Sequence, residues 1–258
     1  MQQNERQGRI LKLLEEKKTV TIPELTEACG VSVITIRRDL DALAGKGLIR
    51  KVYGGASLPE RQPLDLSPHP SFLSRITRHH DRKERLGFTA ASLVQEGDTV
   101  ILDIGTTCLE IAKALKKRVG ITVLTNSLAI LNELADSGLE VHALGGRLRG
   151  RELSLTGQQA CEAMKDFYAN KAFISVSGVS LENGLTDFNI DSSELCAAIT
   201  RRAGHVYLVT DSSKFGKIAF SVIGPLECVH SVITDSGIPQ EYADAFKARG
   251  VELILVDS

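Results

Sequence analysis

Residues 31–43 read Val-Ser-Val-Ile-Thr-Ile-Arg-Arg-Asp-Leu-Asp-Ala-Leu, and their spacing is that of one amphipathic helix. Ser32 stands where an N-cap hydroxyl can accept from an otherwise unpaired backbone N–H at the helix start. Ile36, Leu40 and Leu43 follow at i, i+4 and i+7, which places them on one stripe that faces a core. The pattern therefore predicts a helix that packs along one side and is open along the other.

The open side of this predicted helix carries Arg37 and Arg38. Near a helix start, guanidinium groups can contact DNA phosphates or pair with guanine in the major groove, which admits one α-helix. Two arginines are also common on ordinary solvated helices. Taken alone, the helix leaves a DNA-reading role and a plain surface role open.

The segments before this helix complete a motif. Residues 6–16 predict a first helix, and Thr21, two residues before a proline, predicts the cap of a short second helix over residues 24–29. Gly30 then supplies the tight turn into the helix that begins after Ser32. This is the helix-turn-helix arrangement.

The segment after this helix predicts a basic wing. Residues 48–56 read Leu-Ile-Arg-Lys-Val-Tyr-Gly-Gly-Ala, a short strand followed by a Gly-Gly turn. Residues 1–57 hold ten Lys and Arg against seven Asp and Glu, a net charge of +3, whereas the remaining residues carry −4. The whole-chain charge of −1 hides this asymmetry, whose sign fits a DNA-binding head on a near-neutral body.

These residues, at fixed offsets from Val31 to the Gly-Gly-Ala of the wing, resemble the DeoR family of bacterial transcriptional regulators. One departure is Tyr53, where many members carry His. The resemblance implies a winged helix-turn-helix domain that binds double-stranded operator DNA. The residues expected to contact DNA are Thr21, Ser32, Val33, Thr35, Arg37, Arg38, Arg50, Lys51, Tyr53, Gly54 and Gly55.

Length and composition fit two domains. With 258 residues, of which 43% are hydrophobic and 24% charged, the chain can form a small head and an α/β body with its own core. Four of the seven prolines fall between residues 58 and 70, so we predict a DNA-binding domain over residues 1–57, a linker over residues 58–80 and an effector-sensing domain over residues 81–258. No apolar run approaches the ~20 residues of a membrane helix and no signal peptide is recognised, so we expect a cytoplasmic protein without a membrane partner.

Neither a metal nor a cofactor is expected. The five cysteines are odd in number and widely scattered, which fits neither a zinc pattern nor a disulfide framework and predicts buried free thiols. The pair His79-His80 lacks a Cys or carboxylate pattern beside it. A solvated helix start is therefore a better interpretation of that pair than metal ligation.

From residue 84 onward, short apolar segments alternate with helical stretches. Strands are predicted over residues 99–104, 121–125, 141–144, 171–176, 205–210, 231–234 and 251–256. Helices are predicted over residues 108–117, 128–137, 158–168, 192–203 and 240–248. This alternation predicts an α/β fold with a largely parallel sheet covered on both faces, in which ligands bind beyond the carboxyl ends of the strands.

Five of these strands end in glycines, hydroxyls and a lysine. The exit segments are residues 103–107, 125–127, 145–149, 175–179 and 211–216. Glycine lets the backbone approach a ligand, hydroxyls and helix N–H groups can hold an anion, and Asn, Ser and Asp can bond sugar hydroxyls. The set predicts a polyol-phosphate pocket, and the alternative is that these are ordinary turn residues with a Thr cap.

This half of the chain also resembles the DeoR family. The resemblance lies in the runs Gly105-Thr106-Thr107, Thr125-Asn126-Ser127, Leu144-Gly145-Gly146-Arg147 and Asp211-Ser212-Ser213-Lys214-Phe215-Gly216. It implies a domain similar in fold to ribose-5-phosphate isomerase and glucosamine-6-phosphate deaminase, which senses a phosphorylated sugar. The phosphate would lie at Gly105, Thr106 and Thr107 with Lys214 nearby, and Glu194 would stand where the isomerases carry their acid–base glutamate. The expected effector-binding residues are Asp103, Gly105, Thr106, Thr107, Asn126, Ser127, Gly145, Gly146, Arg147, Ser177, Gly178, Glu194, Asp211 and Lys214.

The resemblance implies a repressor of a carbohydrate-metabolism operon that is released from its operator by the effector. One alternative is an isomerase with a DNA-binding head. Ser177-Gly178 offers no carboxylate where the isomerases carry aspartates and where DeoR members often keep one, so no catalytic residue is predicted. The other alternative is an effector-independent or activating DNA-binding protein. A single small head also predicts a homodimer or homotetramer on repeated half-sites.

Overall fold

The computed structural model describes residues 3–45, 48–58 and 70–257. The chain divides into two compact units, Met1–Arg61 and Gln62–Ser258, and each is described by itself. Residues 59–69 of the predicted linker lie outside the described residues. Residues 70–80, which the sequence also predicts as linker, belong to the larger unit, because Phe72 is buried in its core. The larger unit therefore includes residues that precede its predicted start at residue 81.

The smaller unit is a winged helix-turn-helix, as predicted. Its described elements are α1 (Gln3–Lys17), β1 (Thr19–Thr21), α2 (Ile22–Cys29), α3 (Val33–Gly45), β2 (Arg50–Val52) and β3 (Gly55–Ser57). The strands form an antiparallel sheet in the order β1-β3-β2. The sequence does not predict β1, because three residues are too few for alternation to be recognised.

Helix α3 packs through the stripe that its sequence predicts. Ile36, Leu40 and Leu43 are buried in a core that they share with α1 and α2. Asp39 is buried beside them, and its carboxylate pairs with the Arg6 guanidinium of α1. Because a buried carboxylate needs a charged partner, this ion pair ties α1 to α3.

Local sequence signals define the helix-turn-helix. Thr21 Oγ1 accepts from the Glu24 N–H at 3.4 Å, and the Glu24 carboxylate accepts from the Thr21 N–H at 2.8 Å, which makes a capping box at the start of α2. Gly30 ends α2 in the left-handed region at φ 65°. Ser32 Oγ then accepts from the Thr35 N–H, so α3 begins where its cap predicts.

The larger unit is an α/β domain. Its described elements begin with α4 (Phe72–Ile76), α5 (His80–Ser92), β4 (Thr99–Leu102), α6 (Thr106–Leu115), β5 (Thr122–Thr125), α7 (Leu128–Leu134), β6 (Glu140–Ala143), β7 (Arg147–Arg149), β8 (Ser154–Thr156) and α8 (Gln158–Met164). They continue with β9 (Ala169–Ile174), β10 (Gly178–Ser180), β11 (Gly184–Asp187), α9 (Ile190–Thr200), β12 (Ala203–Val209), β13 (Ser221–Gly224), β14 (Ser231–Asp235), α10 (Gln240–Ala248) and β15 (Glu252–Val256).

Seven strands form one parallel sheet in the order β15-β14-β12-β9-β4-β5-β6. These are the seven predicted strands, and their ends lie within two residues of the predicted ends. The chain winds from β4 through β5 to β6 in one direction and from β9 to β15 in the other. The order therefore reverses between β4 and β9, and a crevice is expected beyond the carboxyl ends of those two strands.

Two smaller pieces of sheet were not predicted. Strands β7 and β8 form a hairpin, and β10, β11 and β13 form a separate antiparallel sheet. Each of these strands has only three or four residues, which is too short for a period of two to stand out. Both pieces lie next to the crevice and supply residues to it, as described below.

Helix α5 lies unusually close to α6. A Cβ added at Gly87 would lie 2.6 Å from Glu110 Cβ and 2.9 Å from the Ile111 nitrogen, so only glycine fits there. Leu86, Ala90 and other small or apolar residues of α5 complete this buried contact. The close packing fixes the position of α5. This helix carries Lys83, a residue of the candidate ligand site described below.

This contact predicts that Gly87→Ala destabilises the larger unit. The added methyl meets backbone atoms of α6 that cannot move alone, so the free energy of unfolding should fall by about 1–3 kcal/mol. Urea unfolding followed by circular dichroism measures the change. Gly138→Ala is the control, because nothing lies within 4 Å of a Cβ there. Equal stability of the two variants would contradict the packing described.

Candidate DNA interface and candidate ligand site

The open face of α3 is a surface that could enter a DNA groove. Arg37 and Arg38 are exposed on it, as predicted, and Val33 and Ile34 lie one turn earlier, with Ile34 67% exposed. An exposed isoleucine beside two arginines combines an apolar contact for a thymine methyl with guanidinium donors. The helix pattern does not single out Ile34, because it lies off the stripe of Ile36, Leu40 and Leu43.

The wing presents the remaining predicted DNA contacts. Arg50, Lys51 and Tyr53 are exposed, and Lys51 Nζ pairs with Asp41 of α3 at 2.5 Å. Gly54 takes φ 76° in the turn, and a side chain at Gly55 would collide with the Val20 carbonyl of β1. The two glycines therefore shape the wing, and their contact with DNA stays a prediction.

Three of the predicted DNA contacts, Thr21, Ser32 and Thr35, have their hydroxyls engaged within the protein. Thr21 Oγ1 belongs to the capping box of α2, and Ser32 Oγ lies 3.0 Å from Thr35 Oγ1 at the start of α3. All three residues remain at the surface or partly exposed. Their contact with DNA stays a prediction, whereas their role in ending and starting helices is visible.

The crevice between β4 and β9 holds two adjoining cavities. We call them cavity A, of about 240 Å³, and cavity B, of about 250 Å³. They share five lining residues: Arg75, Ser175, Val176, Ser177 and Phe188. A crevice at the point where strand order reverses is where the parallel sheet predicts a ligand.

Cavity A is strongly cationic. The residues that line it are Pro70, Arg75, Arg78, His79, Lys83, Thr106, Thr107, Ser175, Val176, Ser177, Phe188, Thr210, Asp211, Ser213, Lys214 and Lys217. Five Lys and Arg thus face a single carboxylate, that of Asp211, among the described residues. Asp211 Oδ1 accepts from the Ser213 N–H at 3.0 Å, which places this carboxylate in a local turn.

Two lysines of cavity A are held in an environment that disfavours their charge. Burial, opposed by the nearby Asp211 and reinforced by Arg75 and Lys214, lowers the pKa of Lys83 to about 8. Lys83 Nζ donates to the Arg75 carbonyl at 2.5 Å. Burial also lowers the pKa of Lys214. An anion in the cavity would stabilise both charged forms.

Cavity B combines arginines with hydroxyl-bonding groups. The residues that line it are Arg75, Ile104, Gly105, Arg149, Arg151, Glu152, Ser175, Val176, Ser177, Asp187, Phe188, Asn189 and Ser192. Gly105 takes φ 127°, and a side chain there would collide with Ser175 Oγ, which donates to the Ile104 carbonyl at 2.9 Å. The glycine that the sequence singles out is therefore needed where β4 turns into α6.

The structure brings some predicted ligand residues together and separates others. Those that line the cavities are Gly105, Thr106, Thr107, Ser177, Asp211 and Lys214. Those that line neither cavity are Asp103, Asn126, Ser127, Gly145, Gly146, Arg147, Gly178 and Glu194. For this second group effector contact stays a prediction, and the structure shows a local role for most of them.

Asn126 and Ser127 are buried and hold the β7–β8 hairpin and a helix. Asn126 Nδ2 donates to the Leu155 carbonyl at 2.9 Å, and Ser127 Oγ accepts from the Ile130 N–H at the start of α7. Asp103 is also buried, below the site, where burial raises its pKa to about 7. Asn126 Nδ2 and Ser127 Oγ are thus bonded within the domain, whereas Asn126 Oδ1 is buried without a hydrogen-bond partner among the described residues.

Gly146 and Arg147 belong to the hairpin rather than to the cavities. A Cβ at Gly146, which takes φ 132°, would lie 2.6 Å from the Thr156 carbonyl, so the glycine permits the hairpin to close. Arg147 is largely exposed and pairs with Asp191. Gly178 lies against the Lys217 carbonyl, 2.5 Å from where its Cβ would be. Glu194 is exposed on α9 and lines neither cavity, so its predicted role stays a prediction.

The sequence missed most of the cationic groups. Arg75, Arg78 and Lys83 fall in or beside the segment predicted as linker, and Arg149 and Arg151 lie on the unpredicted hairpin. The charged stretch before residue 85 was the available signal. Within that stretch, the lack of a Cys or carboxylate pattern beside His79-His80 favours a solvated helix start over a metal site.

No metal centre is formed by the described part of the chain, where no three His, Cys, Asp or Glu come together. All five cysteines are free; Cys29, Cys108 and Cys196 are buried, as predicted, whereas Cys161 and Cys228 are partly exposed. No helix within the described ranges is long and apolar enough to cross a membrane.

Comparisons with known proteins identify both units. A DeoR-like helix-turn-helix domain matches residues 6–62, and a DeoR C terminal sensor domain matches residues 78–236. The chain belongs to the DeoR family. The HTH-type transcriptional regulator GolR of Listeria innocua is 34% identical to it over 98% of this chain and 98% of its own length. The glycerol-3-phosphate regulon repressor of Escherichia coli (strain K12) is 30% identical over 99% of this chain and 100% of its own length.

As a DeoR-family member, the protein is a helix-turn-helix transcriptional regulator whose larger unit is a sensor domain. Among solved structures, ribose 5-phosphate isomerase from Methanocaldococcus jannaschii has a TM-score of 0.40 and 14% identity over 53% of this chain and 55% of that chain. A likeness this weak carries no argument about chemistry. The fold class rests on the order of the strands.

For this DeoR-family regulator, the open face of α3 predicts that Arg37→Ala and Arg38→Ala each weaken operator binding. Loss of a base-reading arginine should reduce the binding free energy by about 1–3 kcal/mol and relax specificity at one base pair. Fluorescence anisotropy with an operator duplex selected in vitro measures both effects. Arg9→Ala removes the same charge from the exposed surface of α1 and is the matched control. If both α3 variants bind as tightly as the control, this helix does not read the groove.

The lowered pKa of Lys83 predicts a pH-dependent anion affinity. A lysine is cationic only below its pKa, so sulfate, whose own charge is constant, should bind several-fold more weakly as the pH rises from about 7 to about 9.5. Calorimetric titration of the full chain measures this. Lys83→Arg keeps its charge over that range and should flatten the profile. An unchanged profile in Lys83→Arg would show that another group controls the affinity.

Proposed function

We propose that this regulator is a repressor of a carbohydrate-metabolism operon and that a phosphorylated sugar releases it from operator DNA. The observation that carries the proposal is cavity A, where five cationic side chains surround a crevice at the reversal of strand order. The printed names of relatives add weight, since one of them is a glycerol-3-phosphate regulon repressor.

A phosphate suits cavity A on grounds of charge and donors. Burial lowers the pKa of both Lys83 and Lys214, so an anionic partner would stabilise their charged forms. Thr106 and Thr107 begin α6, so their hydroxyls and backbone N–H groups face the same space. A dianionic phosphoryl group would therefore meet both point charges and hydrogen-bond donors.

The sugar part of the ligand would extend toward cavity B. Ser177 Oγ donates to Asp187 Oδ2 at 2.9 Å, and Asn189 and Ser192 lie along the same wall. Hydroxyl, amide and carboxylate groups of this kind can exchange their internal hydrogen bonds for those of a polyol. Phe188 lines both cavities and offers an apolar surface for the carbon chain.

The ligand would act on the segment that leads to the DNA-binding unit. Arg75, Arg78 and Lys83 belong to residues 70–83, which directly follow the connection over residues 59–69. Arg75 pairs with Glu152, and the Phe72 N–H donates to the Arg151 carbonyl at 2.8 Å. An anion that draws these cations into cavity A would change how this segment is held, and coupling of this kind requires such differential contacts.

The chemistry of the cavities favours sensing over catalysis. Each carboxylate that lines them among the described residues is engaged: Asp211 with the Ser213 N–H, Asp187 with Ser177, and Glu152 with Arg75. Glu194 lies elsewhere. An isomerase needs a base poised at the sugar carbons, so we propose that the protein does not turn over its ligand. We further propose a cytoplasmic homodimer or homotetramer on repeated half-sites.

The proposal predicts that at least one sugar phosphate weakens operator binding of the full chain about tenfold or more, within the usual range of allosteric coupling. The panel is glycerol 3-phosphate, ribose 5-phosphate, glucose 6-phosphate, fructose 6-phosphate and fructose 1,6-bisphosphate. Anisotropy titrations with the selected operator, with and without each compound, measure the effect. Lys214→Gln should bind operator normally and lose the response.

Lys165→Gln is the matched control, because Lys165 is exposed and pairs only with Glu162 among the described residues. It should respond as the unaltered protein does. No change with any compound would favour the effector-independent alternative, and tighter operator binding would favour an activator. A normal response in Lys214→Gln would remove cavity A from the mechanism.

A further inference from the structure

Cavity B contains more cationic donors than a sugar hydroxyl requires. Arg75, Arg149 and Arg151 all line it. The Nε atoms of Arg75 and Arg149 are buried and have no hydrogen-bond partner among the described residues. Buried polar groups are almost always paired, because an unpaired donor has lost water without gaining another acceptor. Two such atoms beside one cavity indicate that an acceptor belongs there.

The carboxylates near cavity B are already engaged. Glu152 pairs with Arg75 through a terminal guanidinium nitrogen, which leaves the Arg75 Nε without a partner. Asp187 accepts from Ser177 Oγ at 2.9 Å and from the Asn189 N–H at 3.3 Å. No described carboxylate lies within ion-pair distance of Arg149. Within the described ranges, therefore, no carboxylate is paired with this arginine.

The shape of the guanidinium group indicates which kind of acceptor would pair with these arginines. Nε–H and a terminal N–H form a rigid fork that matches the two oxygens of a carboxylate or a phosphoryl group, and such bidentate pairs are strong. A neutral hydroxyl offers one oxygen and no charge. Rotation of Arg149 onto an anion would satisfy its Nε and its charge together, which a hydroxyl could not do.

A single ligand can reach both cavities. They share five lining residues, among them Arg75, and each alone is smaller than the 300 Å³ or so of a usual ligand pocket. Their combined space falls within the usual range. Cavity A accommodates one phosphoryl group through its lysines, so an acceptor in cavity B would be the opposite end of the same molecule.

We propose that the effector carries two anionic groups, a phosphoryl group in cavity A and a second phosphoryl or a carboxylate in cavity B, where Arg149 and Arg75 bind it. This inference rests on the proposed function, because it takes cavity A as the phosphate site. It excludes neutral sugars and makes sugar monophosphates weak ligands. Arg149 is then the residue that discriminates between monophosphates and doubly anionic compounds.

Matched ligand pairs test the proposal with the full chain. Calorimetry compares fructose 6-phosphate with fructose 1,6-bisphosphate, and glucose 6-phosphate with 6-phosphogluconate, at physiological ionic strength to suppress long-range attraction. In at least one pair the doubly anionic compound should bind about tenfold more tightly or better. The pair that shows the larger ratio tells a second phosphoryl group from a carboxylate.

Two variants make the test specific. Arg149→Gln should reduce the ratio to about twofold or less while monophosphate affinity stays unchanged. Arg147→Gln removes the same charge from the same hairpin, outside the cavities, and should keep the full ratio. Thermal unfolding of both variants checks that the hairpin is intact.

The possible failures are distinguishable. If monophosphates bind as tightly as their doubly anionic partners, or if Arg149→Gln and Arg147→Gln behave alike, this inference is overturned and the proposed function stands. If none of the four compounds binds, this inference is overturned. The proposed function fails as well only if no compound of its panel, which also includes glycerol 3-phosphate and ribose 5-phosphate, changes operator binding.

Discussion

The reversal of strand order between β4 and β9 is the constraint on which the larger unit depends. The chain leaves the sheet in opposite directions from these neighbouring strands, so α6 and the loop after β9 diverge and leave a crevice that no side chain of the sheet fills. Gly105 and Ser175 meet at its floor, where a larger residue than glycine would collide. The crevice is thus a consequence of topology, and its chemistry is determined by what the surrounding loops bring to its rim.

Those loops place several positively charged side chains close to one another. Lys83, Lys214 and Arg75 come from three different parts of the chain and lie around one small space, with burial working against the charge of the lysines. Holding like charges together in a partly desolvated site lowers the stability of the fold, which the rest of the domain must offset. Sites of this kind are commonly functional. An anionic ligand relieves the repulsion, and the relief is free energy that can be coupled to another equilibrium.

The sequence predicted the repeating parts of the structure well. The stripe of Ile36, Leu40 and Leu43, the cap at Thr21 and the seven parallel strands follow from periodicity and local hydrogen bonding, which act over a few residues. Only some of the predicted site residues line the two cavities. Strand ends gave Thr106, Thr107, Asp211 and Lys214, because parallel strands bring their carboxyl ends to one edge.

The remaining site residues depend on long-range packing that no local pattern reports. Arg75 and Lys83 reach the crevice because Phe72 is buried and because Gly87 lets α5 lie against α6. Arg149 reaches it because a short hairpin folds back over the strand ends. Conversely, Asn126 has the residue type of a sugar ligand but is used to hold that hairpin. Residue type alone could not separate these two uses.

The central claim is that ligand binding in the crevice and operator binding by the DNA-binding unit are thermodynamically coupled. The most direct measurement is the affinity of the full chain for the most effective sugar phosphate, determined by calorimetry without DNA and again with saturating operator duplex. The sugar phosphate is expected to lower the affinity for operator about tenfold or more. Linkage requires that operator lower the affinity for the sugar phosphate by the same factor. Equal affinities in the two titrations would contradict the account, because the crevice would then bind its ligand without reference to DNA.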